Sequence, residues 1–88
     1  MERTVIIAIE EGLHARPAAL FVAAAQAAGA PVTIAKDGEP VPAASILSVM
    51  TLGAKAGDTV RLATATDTDA DAAALDALEG FLQQTVVS

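Results

Sequence analysis

Short β-branched segments and longer segments with helical spacing alternate along this chain in the order βαββαβα. Strands are predicted over residues 4–9, 32–36, 39–41 and 59–66. An Asp-Gly pair at 37–38 favours a hairpin between the second and third strands, and prolines at the margins of the third strand favour a sheet edge. Three helices are too few to cover both faces of a sheet. The sequence therefore predicts an α+β two-layer sandwich, with an antiparallel sheet and its helices on one face.

The first two helices are bounded by residues with well-known positional preferences. The first is predicted from Pro17 to about Ala28, because proline suits the first helical position and Gly29 suits the C-cap. The second is predicted as about two turns between Ser45 and Gly53, which would cap its two ends.

The third helix begins in an acidic segment. Thr68 or Asp69 is its expected N-cap, and the acidic residues of the first turn complement the helix dipole. Five acids and no base lie between Asp67 and Glu79, and the whole chain carries a net charge of −6. This balance argues against a nucleic acid or anionic lipid partner and is typical of a solvated acidic face. The inward stripe of this helix is predicted to consist of Ala74, Leu75, Leu78, Phe81 and Leu82.

The length and composition favour one small domain over residues 1–88. Cysteine is absent, so no disulfide supports the fold, as is typical of proteins in a reducing cytosol. Alanine accounts for much of the apolar content, no apolar run reaches the length needed to span a membrane, and the N-terminus does not resemble a signal peptide. We therefore expect a cytoplasmic protein that starts near Met1 and does not insert into membranes.

The only histidine, His14, lies in the segment GLHARPA at residues 12–18. A helix that begins at Pro17 would point its free amides and the positive end of its dipole at His14. The backbone of Ala15, Arg16 and Pro17 at this helix start is the predicted phosphate-binding backbone. Arg16 adds a permanent cation suited to phosphate oxygens. Neutral imidazole, which the helix dipole favours over imidazolium, is a good nucleophile toward phosphorus and a good leaving group afterwards. The segment therefore predicts a phosphoryl group that is accepted and released at His14.

Other interpretations of His14 fit the sequence less well. A lone histidine is usually a surface or hydrogen-bonded residue, and only its context here favours chemistry. A metal site is disfavoured because one histidine and no cysteine leave only carboxylates as further ligands. A serine hydrolase is disfavoured because the chain has no Gly-x-Ser-x-Gly segment and little room for a cleft. Leu13 is expected to point inward and to leave His14 exposed.

The second helix offers a further candidate site and a candidate surface. Phosphate on Ser45 would be stabilised by the helix dipole, although capping alone explains this serine equally well. A two-turn helix cannot bury every apolar residue, so Ile46, Leu47 and Met50 are predicted to form an exposed patch for a protein partner. The remaining large apolar residues of this segment are assigned to the core: Val49 and Leu52.

Residues 12–18 together with SILSVMTLG at residues 45–53 resemble HPr, the histidine-containing phosphocarrier family of the bacterial sugar phosphotransferase system. The resemblance covers essentially the whole chain and implies an open-faced βαββαβα sandwich with a four-stranded antiparallel sheet. It implies that His14 receives a phosphoryl group on Nδ1 from phosphorylated Enzyme I and passes it to the sugar-specific A components of transporters. Arg16 would steady the phosphate. Such a protein is a stoichiometric carrier in sugar transport rather than an enzyme.

The resemblance also implies what binds near the second helix. Ser45 would be the serine that a dedicated kinase modifies in some bacteria, while Ile46, Leu47 and Met50 would meet partners beside His14. A serine kinase/phosphorylase and transcriptional regulators are further expected partners, and the protein would be a monomer with no metal and no cofactor. Residues 23–27 lack the bases that many relatives carry, so docking should depend more on apolar contact.

Two alternatives remain open. The chain could be an HPr-like carrier in a nitrogen-regulatory or dihydroxyacetone phosphorelay, with the same chemistry and other partners. It could also be a regulatory binding module in which the Ser45 helix docks a partner and phosphorylation of His14 acts as a switch.

Overall fold

Four strands and three helices follow one another in the computed structural model, which describes residues 1–87. The strands are β1 (Glu2–Ile6), β2 (Thr33–Ala35), β3 (Val41–Pro42) and β4 (Thr59–Ala63). The helices are α1 (Ala15–Ala27), α2 (Ile46–Thr51) and α3 (Asp69–Leu82). The predicted βαββαβα order is confirmed, and the fold is the expected open-faced α+β sandwich.

The strands form one antiparallel sheet in the order β1-β4-β2-β3. Val60 in β4 pairs with Val5, and Leu62 pairs with Ile34, so buried side chains of three strands share the face that the helices cover. The strand with proline, β3, is at the edge as predicted, because an edge strand tolerates a residue without a backbone N–H.

The first strand differs in position from the predicted strand at 4–9. It begins at Glu2, where pairing with the end of β4 starts, and it ends at Ile6. Beyond it, the backbone N–H groups of Ala8 and Glu10 donate to carbonyls at the C-terminal end of α3 and just beyond, at 2.9 Å each. The chain leaves the sheet because these amides bond outside it. Strands β2 and β3 lie within about two residues of their predictions, whereas β4 ends at Ala63, before the predicted end at residue 66.

The first helix starts two residues before the predicted position. Ala15 is its first residue and Pro17 its third, while Ala28 is the C-cap and Gly29 follows with φ 81°. Proline is tolerated in the third position because the N–H groups of the first helical turn have no partner within the helix.

The N-caps of the other two helices agree with the sequence prediction, whereas the C-cap of α2 is Leu52 and the predicted Gly53 follows it with φ 62°. Ser45 is the N-cap of α2, and its hydroxyl accepts a hydrogen bond from the N–H of Ser48 at 3.4 Å. Thr68 is the N-cap of α3, where it forms a capping box with Asp71. Each of these helices therefore begins where a side chain satisfies a free amide.

The core lies between the sheet and the helices. Phe21 of α1 and Phe81 of α3 pack edge to face with ring centroids 5.6 Å apart. Phe81 is partly exposed, while the other predicted inward residues of α3 are buried. The largest buried side chains include Ile7, Ile9, Leu13, Phe21, Ile34, Val49, Leu62, Leu75, Leu78 and Leu82. No helix in residues 1–87 is both long and apolar enough to cross a membrane.

Candidate functional site

His14 lies at the start of α1, where it is the N-cap residue with an extended backbone. Its carbonyl accepts the first helical hydrogen bond from Ala18, at 3.4 Å, while its side chain is exposed. Leu13 is fully buried beside it, which confirms the prediction that this leucine points inward and leaves His14 exposed. The imidazole forms no hydrogen bond with any other residue in the range 1–87, so both ring nitrogens can meet a partner protein.

The loop before His14 is held by backbone contacts that require glycine. Gly12 has φ 70°, and its N–H donates to the carbonyl of Ile9 at 2.9 Å. A Cβ at this position would lie 2.8 Å from the carbonyl oxygen of Ala54 and 2.9 Å from Cα of Lys55. The same carbonyl of Ala54 accepts a hydrogen bond from the N–H of Leu13 at 2.9 Å. The close approach of the backbone at Gly12 to the backbone at Ala54 and Lys55 therefore fixes the position of Leu13, the residue before His14.

Ala15, directly after His14, has an unusual backbone. Its φ of 45° lies in the left-handed region, and it is the one non-glycine residue of the described range 1–87 with a positive φ. A side chain in this region raises the energy of the folded state by about 1–2 kcal/mol. Strained residues of this kind are concentrated at functional sites, where the surrounding structure holds them in place.

The first turn of α1 presents free backbone amides next to the imidazole. Ala15 and Arg16 carry N–H groups in this turn, whereas Pro17 has none. The positive end of the helix dipole is at the same place, and no acidic residue occupies the first turn. This arrangement suits an anion bound at His14.

The guanidinium of Arg16 is exposed and does not contact the imidazole in this structure. Its Nη1 donates to the carbonyl oxygen of Val87 at 3.0 Å, which places the C-terminal segment close to the start of α1. Arg16 therefore lies two residues after His14 along the chain, and its guanidinium bonds a neutral carbonyl that another acceptor could replace.

The exposed patch on α2 is present as predicted. Leu47 is 77% exposed, Met50 45% and Ile46 39%, while Val49 is fully buried. Leu52 is partly buried and packs against the core. The loop after α2 reaches the His14 loop, since the carbonyl of Ala54 accepts a hydrogen bond from the N–H of Leu13 at 2.9 Å.

Ser45 uses its hydroxyl as the cap of α2 and is only partly exposed. The structure therefore places it at the start of the patch helix, in the capping position that the sequence indicated. Within residues 1–87, no three histidine or acidic side chains come close enough together to hold a metal ion.

Sequence reasoning missed an ion pair that holds the loop beside His14. The carboxylate of Asp58 accepts the backbone N–H of Lys55 at 2.8 Å and lies 3.1 Å from Nζ of Lys36. The backbone hydrogen bond from Lys55, followed by the one from Lys36, holds the pKa of Asp58 below its usual value. The Lys-Ala-Gly-Asp sequence at 55–58 signalled a turn, but nothing in it indicated that this turn packs against Gly12.

Comparisons with known proteins show which proteins this chain resembles. Residues 1–84 match the family model described as the PTS HPr component phosphorylation site. The phosphocarrier protein HPr of Streptomyces coelicolor is 55% identical over 78 residues, which cover 88% of this chain and 82% of the relative. HPr of Haloferax volcanii is 50% identical over 84 residues, covering 93% and 92%. The crystal structure of HPr from Bacillus anthracis superposes with a TM-score of 0.85 at 38% identity, covering 94% of this chain and 96% of that one.

Proposed function

Because the chain belongs to the HPr family of phosphocarrier proteins, we propose that His14 accepts a phosphoryl group from phosphorylated Enzyme I and passes it to the sugar-specific A components of transporters. The observation that carries this proposal is the exposed imidazole at the N-cap of α1, beside the free amides of Ala15 and Arg16. The protein would act as a stoichiometric carrier in carbohydrate uptake, in the cytoplasm and as a monomer.

The chemistry follows from the position of His14. In the first transfer, a lone pair of the imidazole, on Nδ1 by analogy with the family, forms a bond to phosphorus while the bond between phosphorus and the donor breaks. The amides of Ala15 and Arg16 and the helix dipole stabilise the charge that arrives on the phosphoryl oxygens. In the second transfer the acceptor's nucleophile attacks the same phosphorus and imidazole leaves. Both steps need access from solvent, which the exposed side chain provides.

Arg16 has a role in the phosphorylated state. Its guanidinium bonds the neutral carbonyl of Val87 before transfer. A phosphoryl dianion is a stronger acceptor for the guanidinium than a neutral carbonyl, because its negative charge adds Coulomb attraction to the hydrogen bond and its oxygens can accept two N–H groups at once. We therefore expect the guanidinium to exchange the Val87 carbonyl for phosphoryl oxygens when His14 is modified.

The α2 patch is the proposed docking surface for both donor and acceptors. Leu47 is the most exposed of its apolar residues, and exposed apolar patches of this kind mark surfaces that bind other proteins. Since residues 23–27 carry no base, apolar contact rather than long-range attraction should dominate the affinity.

Intact-mass measurement tests the carrier chemistry. Wild type and His14→Ala are incubated with Enzyme I and phosphoenolpyruvate, and masses are recorded before and after mild acid. We expect wild type alone to gain one phosphoryl group that acid removes. If wild type gains no mass while the same Enzyme I is active on a known carrier, Enzyme I is not the donor. This result would favour a nitrogen-regulatory or dihydroxyacetone phosphorelay.

The exposed Leu47 also supports a second candidate function, a regulatory module that binds a partner through α2. Binding to a transcriptional regulator that survives His14→Ala and is lost in Leu47→Asp would favour this function. Ser45 is the proposed target of a serine kinase/phosphorylase, and phosphate at this cap would lie at the positive end of the α2 dipole. An acid-stable mass gain with ATP and such a kinase, absent in Ser45→Ala, is the expected result.

A further inference from the structure

Folding brings a lysine that is distant in sequence next to His14. The position that a Cβ on Gly12 would take lies 3.3 Å from Cδ2 of His14 and 2.9 Å from Cα of Lys55. Since Cδ2 of His14 and Cα of Lys55 both lie close to this position, the two atoms are at most about 6 Å apart. An extended lysine side chain spans about the same distance from Cα to Nζ. Nδ1 is on the opposite edge of the ring from Cδ2, so phosphorus on Nδ1 would lie at most about 10 Å from Cα of Lys55. A lysine side chain extended toward it would bring its ammonium group within about 4 Å of the phosphorus.

The backbone of Lys55 is fixed while its side chain is free. Its N–H donates to the carboxylate of Asp58 at 2.8 Å, and that carboxylate is paired with Lys36 at 3.1 Å. The side chain of Lys55 is exposed, and its ammonium forms no ion pair or hydrogen bond with the residues that the structure describes. Lys36 therefore pairs with the carboxylate of Asp58, and the ammonium group of Lys55 remains available to bind an anion.

The charges around His14 favour such a contribution. Glu10 and Glu11 are exposed and directly precede Gly12, so their carboxylates repel an incoming phosphoryl dianion. Arg16 lies on the helix side of His14, and its guanidinium bonds the carbonyl of Val87. Lys55 supplies a second cation, because its Cα lies against Gly12 and therefore close to the His14 imidazole.

We propose that Lys55 is a second phosphate-binding residue of the His14 site, which binds the phosphoryl oxygens after transfer in addition to Arg16. This inference rests on the proposed phosphocarrier function. An ammonium group within about 4–6 Å of a phosphoryl group with two negative charges, in solvent, favours the phosphorylated state by about threefold to tenfold at physiological salt.

The test compares Lys55→Gln with Lys55→Arg and with the control Arg61→Gln. Arg61 is an exposed cation on β4, so its removal changes the net charge equally but leaves the His14 loop intact. Phosphorylation is measured as the equilibrium fraction with Enzyme I, phosphoenolpyruvate and pyruvate. The pKa of the phosphoryl group is measured by phosphorus NMR after modification with phosphoramidate, whose ammonia leaves as imidazole bonds to phosphorus. Thermal unfolding by circular dichroism checks that each variant is folded.

We expect Lys55→Gln to lower the phosphorylation equilibrium constant about threefold to tenfold and to raise the pKa of the phosphoryl group, with both effects weakened by salt. Lys55→Arg should retain both values, and Arg61→Gln should change neither by a comparable amount. Equal behaviour of Lys55→Gln and Arg61→Gln would overturn the proposal.

The two donors separate this inference from the proposed function. Modification by phosphoramidate but not by Enzyme I would contradict the proposed donor, while the phosphoryl pKa would still decide the role of Lys55. Failure of the folded wild type to take phosphate from either donor would overturn both proposals.

Discussion

Replacing Gly12 with alanine should destabilise the protein through two separable effects. The first is the left-handed backbone at φ 70°, which disfavours any residue with a Cβ by about 1–2 kcal/mol. The second is the collision of that Cβ with the carbonyl oxygen of Ala54 at 2.8 Å and Cα of Lys55 at 2.9 Å. Both are backbone atoms that cannot move aside as a flexible side chain could, and overpacking of this kind typically adds about 1–3 kcal/mol.

The lower entropy of an alanine-containing unfolded chain offsets part of this loss, by about 0.4–1 kcal/mol. We therefore expect Gly12→Ala to lower the free energy of unfolding by about 2–4 kcal/mol. This is a large share of the roughly 5–15 kcal/mol typical of small domains. Urea denaturation followed by circular dichroism measures it.

Gly57→Ala is the matched control. Gly57 has φ 89°, but an added Cβ there would find no atom within 4 Å. It should therefore show the backbone effect without the collision. A loss for Gly12→Ala no larger than that for Gly57→Ala would refute the reasoning, because it would mean that the contact with the 54–55 backbone is not tight. The Gly12 variant should also be phosphorylated more slowly, since the displaced backbone positions the residue before His14.

Three further predictions concern α1, α2 and α3. Ala15→Gly should raise the free energy of unfolding or leave it unchanged, because the φ of Ala15 is 45°. Ala23→Gly, at an exposed position of the same helix, should lower it by about 1 kcal/mol. Similar losses for the two variants in urea denaturation would contradict the strain at Ala15. Leu47→Asp should keep the thermal midpoint of unfolding but weaken binding to Enzyme I at least tenfold, as measured by calorimetry. Unchanged affinity would exclude the exposed α2 patch as the docking surface. The pKa of Asp71 is lowered in the folded protein by hydrogen bonds, first from the Thr66 hydroxyl and then from Thr68. The Asp71 carboxylate therefore contributes stability above its unfolded pKa near 3.8, and this contribution is lost as the pH falls through the folded pKa. Wild type should lose more stability in acid than Asp71→Asn. Equal losses of the two proteins in urea denaturation over this pH range would argue against the prediction.

The sequence by itself determined the order of the elements and most helix ends, because these depend on contacts within a few residues. Ser45 and Thr68 cap their helices through residues three positions ahead, and the pattern of β-branched and apolar residues sets the period of each element. The exposed His14 beside the buried Leu13 follows from the same local information.

Only the tertiary structure decided which distant segments meet. The central position of β4, the departure of the chain from the sheet after Ile6, and the bond from Arg16 to Val87 each join segments far apart in sequence. The same holds for Lys55, which two helices and a β-hairpin separate from His14 along the sequence. Hydrophobic burial brings distant segments together, but it is non-directional, so the local sequence does not specify which segments will be in contact. The charges around His14 are therefore a property of the folded protein.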